Sequence, residues 1–153
     1  MATFSRTAIL EWQGDVPRGS GRVVAGSGAF SIPATFPRIA GDPPGTTPPE
    51  ELLAASHATC FGIGLRSILS QRGGQASRLR VRSTITARKD RGTIRLESAQ
   101  LVALLEDVEG VAVAALDEIA HAAEQACTIS AILRPTVPVT VSIRVATSPD
   151  EEF

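Results

Sequence analysis

The chain has few aromatic residues and no excess of either charge, and both shortages exclude classes of partner. Only 4% of its 153 residues are aromatic, with one Trp and no Tyr, so no stacking surface for nucleic-acid bases is expected. Fifteen basic residues balance sixteen acidic ones, whereas binding to nucleic acid or an anionic membrane needs a basic surface. A nucleic-acid function would require Arg80, Arg82 and Arg88 to form one continuous exposed patch. The simpler interpretation is that they lie on the solvent face of a sheet.

Cysteine is also scarce. Cys60 and Cys127 are too few for a disulfide-stapled scaffold, and no Cys/His spacing indicates a zinc site. The count is compatible with a single redox pair. The sequence predicts no metal and no cofactor.

Long hydrophobic runs are missing from the sequence. The first residues contain no apolar segment typical of a signal peptide, and no run approaches the roughly 18 apolar residues of a membrane span. We therefore expect a cytoplasmic protein, in which disulfides are usually transient and functional. The length fits a single domain over residues 1–153, with a frayed acidic tail at 148–153.

Short alternating segments and turn signals predict strands in the first 35 residues. A loop follows at 42–49, where four prolines and one glycine exclude a helix or a central strand. A helix is predicted to begin at the end of this loop, with Thr47 as its N-cap and Glu50 three residues later, as in a capping box. A Gly-Gly pair stops the helix after Gln71.

This long helix is apolar nearly all round, a pattern typical of a buried helix. Gly62 and Gly64 reduce its helix propensity by about 1 kcal/mol each. We expect them to allow another element to approach closely.

The second half of the chain mixes strand and helix patterns. It is predicted to contain a strand over 79–88, a return strand over 93–106, a helix over 111–126 and a strand over 139–145. A turn at Asp90–Gly92 joins the first two strands, and a bulge is expected near Ser98–Ala99. Strands and helices are grouped rather than strictly alternating, which favours an α+β fold.

Each cysteine has two interpretations. A free cysteine often serves as a small core hydrophobe, and both Cys60, mid-helix, and Cys127, at the end of the second helix, fit that role. A reactive Cys60 would need a nearby cation, because the thiolate is the nucleophile. The candidates are arginines of the N-terminal part, which Glu50 could hold in an ion pair. These arginines are Arg18, Arg22 and Arg38.

His57 lies three residues before Cys60, on roughly the same helix face. A Cys–His pair is therefore conceivable. The simpler interpretation is a histidine with a local hydrogen-bond partner or a place in an interface.

Three segments carry the motifs of a known family. Residues 47–61 read TPPEELLAASHATCF, residues 11–15 read EWQGD and residues 126–130 read ACTIS. They resemble the T-N-P-E-E-L…A-A-H-A-x-C-F, W-x-G-D and C-P-V-S segments of the OsmC/Ohr hydroperoxide reductases, the osmotically inducible protein C and organic hydroperoxide resistance proteins. The resemblance covers nearly the whole chain and includes the order of elements. Pro48 stands where the family usually has Asn, and Thr128 where it usually has Pro.

The resemblance implies an intertwined α+β homodimer, with antiparallel sheets around two long central helices that carry the cysteines. Cys60 would be the peroxidatic cysteine and Cys127 the resolving one, with an external dithiol, in the family often a protein-bound dihydrolipoyl group, reducing their disulfide. Glu50 matches the family's active-site glutamate. Arg38 matches the active-site arginine in the OsmC pattern, which the W-x-G-D motif favours, and Arg18 matches it in the Ohr pattern.

The predicted function is a thiol-dependent peroxidase that reduces organic hydroperoxides, and hydrogen peroxide more weakly. The alternative is a non-catalytic α+β dimer that binds a small hydrophobic ligand in its interface pocket, with cysteines that are merely buried. Neither interpretation includes a nucleic-acid or membrane partner.

Overall fold

The computed structural model describes residues 1–148 and 151–152, and these residues form an α+β fold, which confirms the predicted class. The strands are β1 (Ala8–Gln13), β2 (Ser20–Ala25), β3 (Ser31–Ala34), β4 (Arg78–Asp90), β5 (Thr93–Glu106) and β6 (Val139–Val145). The helices are α1 (Pro49–Gln71), α2 (Leu116–Ala126) and α3 (Thr128–Leu133), and a 3-10 turn at Val113–Ala115 precedes α2. Contacts divide the chain into two compact units, Met1–Leu52 and Leu53–Phe153.

That residues 1–153 form one domain stays a prediction. The predicted frayed tail falls partly on residues 149, 150 and 153, which lie outside the described residues. Glu151 is described, and its carboxylate accepts hydrogen bonds from the backbone N–H and the hydroxyl of Thr147, at 2.6 and 3.0 Å.

The first unit contains an antiparallel sheet in the order β1-β2-β3. Thr47 extends it through a bridge to Ala34: the Thr47 N–H donates to the Pro33 carbonyl at 3.0 Å. The prediction that Thr47 caps the long helix is therefore wrong. Its backbone is used by the sheet, and α1 begins two residues later, at Pro49.

The second unit contains a sheet in the order β4-β5-β6. β4 and β5 are antiparallel, but β5 and β6 are parallel, so the expectation of purely antiparallel sheets is wrong. The chain returns from β5 through α2 and α3, and a crossover of this length can bring β6 back in the same direction. The predicted bulge is confirmed within one residue: Thr86 pairs with Ser98 and Ala87 with Leu96, which leaves Glu97 as the extra residue.

Only one side of α1 is buried within the chain. Phe61, Leu65 and Leu69 are fully buried and pack in one cluster with residues of β5 and α2. In contrast, Ile63 is 68% exposed, so the expectation of a helix buried all round is wrong for a single chain. By length and composition α1 could cross a membrane, with a mean hydropathy of 1.3 over 18 residues, as central helices of globular proteins also could.

Gly62 lies where α1 meets β4. A Cβ added there would be 3.3 Å from Cγ2 of Val81, which is tight, whereas a Cβ on Gly64 would have its nearest neighbour, the Ala123 carbonyl oxygen, at 4.0 Å. The expected close approach is therefore confirmed at Gly62, and Gly64 has room for a methyl group.

The arginines of β4 do not form the free basic patch that a nucleic-acid function would require. Arg80 is 22% exposed and pairs with Glu106 at 3.1 Å, and Arg88 pairs with Glu97 at 3.0 Å. Acidic partners thus interrupt the positive surface at Arg80 and at Arg88.

Candidate active site

Cys60 is carried by the middle of α1, between the fully buried Phe61 and the exposed Thr59. Its side chain is half-buried and packs against the core cluster of the second unit. A mid-helix position gives the sulfur no benefit from the dipole of its own helix, so any stabilisation of a thiolate must come from other elements.

Cys127 lies at the junction between α2 and α3, where an extended backbone conformation (φ −74°, ψ 118°) ends one helix and begins the next. Its N–H donates to the Glu124 carbonyl, closing α2. Its sulfur accepts a hydrogen bond from the Ser130 N–H at 3.5 Å, so the thiol itself caps α3. The cysteine is buried at this junction, with 3% of its surface exposed.

The two thiols meet inside the second unit. The Cys127 side chain is hydrogen-bonded to the sulfur of Cys60, and both cysteines are free rather than joined in a disulfide. Burial raises the pKa of Cys60, but hydrogen bonds from the Ile129 N–H, the Cys127 side chain and the Thr128 N–H outweigh it, and the net pKa is lowered. Burial and the neighbouring Cys60 raise the pKa of Cys127 despite the bond from Ser130.

His57 is fully buried beside this pair. Its Nδ1 lies 3.2 Å from Oγ of Ser83, and its Nε2 lies 2.9 Å from Oγ of Ser130. Both ring nitrogens are therefore engaged by hydroxyl groups, which agrees with the simpler interpretation of a histidine with hydrogen-bond partners. Burial lowers the pKa of His57, with a smaller opposing effect of Glu124, so the ring is neutral at pH 7.

Two of the candidate arginines are held by neighbours in the first unit. The guanidinium of Arg18 forms an ion pair with Asp15 at 2.6 Å and its side chain is 85% exposed. Arg22 donates to the carbonyl of Ser31 at 2.8 Å and to its hydroxyl at 3.2 Å. Both contacts are typical of surface residues.

Arg38 and Glu50 are not joined within the chain. The Arg38 guanidinium lies over the ring of Phe36, 4.8 Å from its centre, and donates to the Pro17 carbonyl at 3.5 Å. Oε2 of Glu50 is buried and has no hydrogen-bond partner among the described residues. A buried carboxylate oxygen normally has a partner, so this one can accept a hydrogen bond from a donor beyond the described residues.

An apolar cleft of about 420 Å³ lies within the first unit. Trp12 and Phe36 contribute its aromatic surface, and Pro49 and Leu52 contribute the first turn of α1. Its size suits a small organic molecule.

Of the site residues named from the sequence, the structure thus brings Cys60, Cys127 and His57 into one cluster. Two further polar residues belong to this cluster, Ser83 and Ser130, and no sequence pattern predicts a role for either. Ser130 is the last residue of the C-P-V-S-like segment, a signal that could have drawn attention to it. Among the described residues, no three His, Cys, Asp or Glu side chains come together as a metal site.

The amino-acid sequence is similar to that of a known protein. The chain is 26% identical to "Peroxiredoxin OsmC" of Escherichia coli (strain K12) over 144 residues, which cover 93% of this chain and 99% of that protein.

The fold is also found in solved structures. An organic hydroperoxide resistance protein OsmC of Legionella pneumophila superposes with a TM-score of 0.74 at 23% identity, covering 95% of this chain and 100% of that one. The organic hydroperoxide resistance protein OhrB of Bacillus subtilis gives 0.69 at 23% identity, covering 90% and 98%. Residues 41–142 match the OsmC family, described as "OsmC-like protein", and this range includes α1 and both cysteines. The chain therefore belongs to the OsmC-like protein family.

Proposed function

We propose that this protein is a thiol-dependent peroxidase that reduces organic hydroperoxides to alcohols. The observation that carries the proposal is the hydrogen bond between Cys60 and Cys127, two thiols that stand 67 positions apart in the sequence. Membership of the OsmC-like family and the similarity to a protein named peroxiredoxin support it.

The first step uses the lowered pKa of Cys60, which keeps more of this thiol as the nucleophilic thiolate. The thiolate attacks the distal oxygen of the hydroperoxide: an S–O bond forms and the O–O bond breaks. The alkoxide leaves and takes a proton to become the alcohol. Cys60 is thereby oxidised to a sulfenic acid, which keeps the proton of the peroxide's O–H group.

The second step uses Cys127, which already lies in hydrogen-bond contact with Cys60. Its sulfur attacks the sulfenic sulfur, an S–S bond forms and water leaves. The raised pKa of Cys127 keeps it protonated until then, so it does not compete for the peroxide. An external dithiol, such as a protein-bound lipoyl group, returns both cysteines to thiols by exchange and is itself oxidised to a disulfide.

Arg38 and Glu50 complete the site across a homodimer. Glu50 and Cys60 lie ten residues apart on one helix, an axial distance of about 15 Å, so Glu50 acts on the Cys60 of a second copy. Its unpartnered buried oxygen and the Arg38 guanidinium, which has no carboxylate partner among the described residues, form the ion pair in that assembly. Arg18 is the weaker choice because Asp15 already holds it.

The apolar cleft of the first unit supports organic rather than hydrogen peroxide as the preferred substrate. An alkyl group gains about 25 cal/mol for each Å² of apolar surface removed from water, a gain that hydrogen peroxide cannot make. We place the protein in the cytoplasm, where the reducing environment sustains turnover.

Single-cysteine variants test the mechanism. Cys60→Ser is expected to abolish consumption of cumene hydroperoxide with dithiothreitol present, because it removes the attacking sulfur. Cys127→Ser is expected to consume one equivalent without a reductant and to stop at the sulfenic acid, detected by mass spectrometry with dimedone. Full steady-state activity of Cys60→Ser would overturn the mechanism. Retention of both thiols in the wild type after stoichiometric peroxide would favour the non-catalytic binding protein.

A further inference from the structure

His57 forms a polar connection through the apolar core of the second unit. The ring links Ser83 on β4, at 3.2 Å, to Ser130 on α3, at 2.9 Å. Both His57 and Ser130 have no exposed surface, so water cannot replace either bond. A buried polar group that lost its partner here would destabilise the local structure, so this connection holds its elements in one arrangement.

Ser130 continues the connection to both sulfurs. Its N–H donates to the sulfur of Cys127 at 3.5 Å, while its hydroxyl is bonded to His57. The two residues between these points, Thr128 and Ile129, direct their N–H groups at the sulfur of Cys60. Residues 127–130 are therefore fixed at one end by the histidine and surround Cys60 with donors.

The histidine acts here through hydrogen bonds and not through charge. Burial lowers the pKa of His57 and keeps its ring neutral at pH 7. The negative charge of Glu124 opposes this shift, but Glu124 is itself paired with Arg134 at 2.8 Å. A neutral ring donates from one nitrogen and accepts at the other, which matches two hydroxyl partners. Cys60 and Cys127 are the other titratable groups of this cluster.

We propose that His57 is a positioning residue for the thiol pair: it holds Ser130, and thereby keeps the segment 127–130 with its N–H groups against Cys60. This role applies to the two reduced thiols before any peroxide reacts. Its effect on peroxide turnover rests on the proposed function. His57 touches neither the substrate nor the reacting sulfur.

Two amide substitutions separate the two bonds of the ring. The amide of His57→Gln reaches the region of Nε2 and can keep the bond to Ser130, whereas the shorter His57→Asn reaches only the region of Nδ1 and Ser83. The measurement is the rate of alkylation of Cys60 by iodoacetamide between pH 4 and pH 10, followed by peptide mass spectrometry with no peroxide present. We expect His57→Gln to titrate as the wild type does. His57→Asn and Ser130→Ala are expected to titrate about one pH unit higher, with alkylation at neutral pH about tenfold slower.

Circular dichroism and thermal unfolding of each variant provide the control for folding. If folded His57→Asn and Ser130→Ala both titrate as the wild type, the proposal is overturned. It is also overturned if the titration of Cys60 shifts as far in folded His57→Gln as in His57→Asn, since the shift would then not depend on the bond to Ser130. If the His57 variants do not fold, the titration of Cys60 in Ser130→Ala tests the proposal by itself, because this variant removes the hydroxyl that contacts His57 and keeps the N–H that donates to Cys127. Loss of peroxide turnover with unchanged alkylation would count against the proposed function and not against this role of His57.

Discussion

At the residue scale, the two thiols differ in the hydrogen bond between them, which Cys127 donates and Cys60 accepts. Cys60 receives hydrogen bonds from two backbone N–H groups and from Cys127, and each stabilises its thiolate. Cys127 is more deeply buried and lies beside Cys60, whose negative charge opposes a second thiolate. One pair of identical side chains is thereby divided into a nucleophile and a protonated partner, as attack and resolution require.

Thr128 offers a direct test of this division. Thr128→Pro removes one N–H from Cys60 at the first position of α3, where proline is well tolerated in a helix. The pKa of Cys60 should rise, so that alkylation by iodoacetamide at pH 7 becomes about threefold to tenfold slower. The thiolate is the reacting form, so the rate falls as the pH drops through this pKa, and the fall begins at a higher pH in the variant. Thr128→Ala keeps the N–H and should behave as the wild type; equal profiles for both variants would contradict the prediction.

The choice between the two arginines is decided by activity. Arg38→Met is expected to lower kcat/KM for cumene hydroperoxide by about tenfold or more, because a guanidinium near a thiolate shifts its pKa by one unit or more. Arg18→Met removes the same charge from a side chain that is 85% exposed and paired with Asp15, and should change the value less than about twofold. The reverse order would assign the site to Arg18.

At the element scale, segments with strong local patterns could be predicted from the sequence. The β4–β5 turn and the strand over 139–145 were predicted correctly, because glycine and strict alternation determine them locally. The start of α1 was predicted incorrectly, because Thr47 forms a β-bridge with Ala34 and no local sequence pattern predicts this bridge. α3 was missed as well: its six residues are too short to be stable alone, and its cap is a cysteine sulfur.

The glycines of α1 form a matched pair for measuring the approach of β4. Gly64→Ala should stabilise the protein by about 0.5–1 kcal/mol, because the helix gains propensity and the new methyl group has room. Gly62→Ala gains the same propensity but places its methyl group 3.3 Å from the stiff side chain of Val81. We expect that gain to be cancelled or reversed by overpacking of about 1–3 kcal/mol. Urea unfolding measures the free energy of unfolding of each variant. Equal stabilisation by the two variants would contradict the prediction, because it would show that β4 moves to accommodate the methyl group.

At the scale of the whole molecule, the meeting of distant residues could not be derived from patterns. His57 and Ser130 are separated by 73 positions and Cys60 and Cys127 by 67, and no periodicity relates them. Only the family resemblance predicted that the cysteines act together, and it assigned no role to either serine of the cluster. Oε2 of Glu50, which has no hydrogen-bond partner among the described residues, is a further feature that no sequence pattern predicts.

The exposed side of α1 leads to the last prediction, which concerns assembly. Ile63 is 68% exposed above a shallow apolar groove lined by Ala58, Thr59, Gly62, Leu79 and Val81. We expect the proposed homodimer to bury this surface and to bring each Glu50 to the Cys60 of the other copy. Ile63→Arg would place a charge in that interface, where desolvation is costly, and should convert a dimer into a monomer by light scattering. Peroxide turnover should fall with the dimer. Val113→Arg changes an apolar residue that is equally exposed, at 67%, on the 3-10 turn, and should remain dimeric and active. A wild type that is monomeric and fully active would refute the shared site, because one helix cannot bring its own Glu50 to its own Cys60.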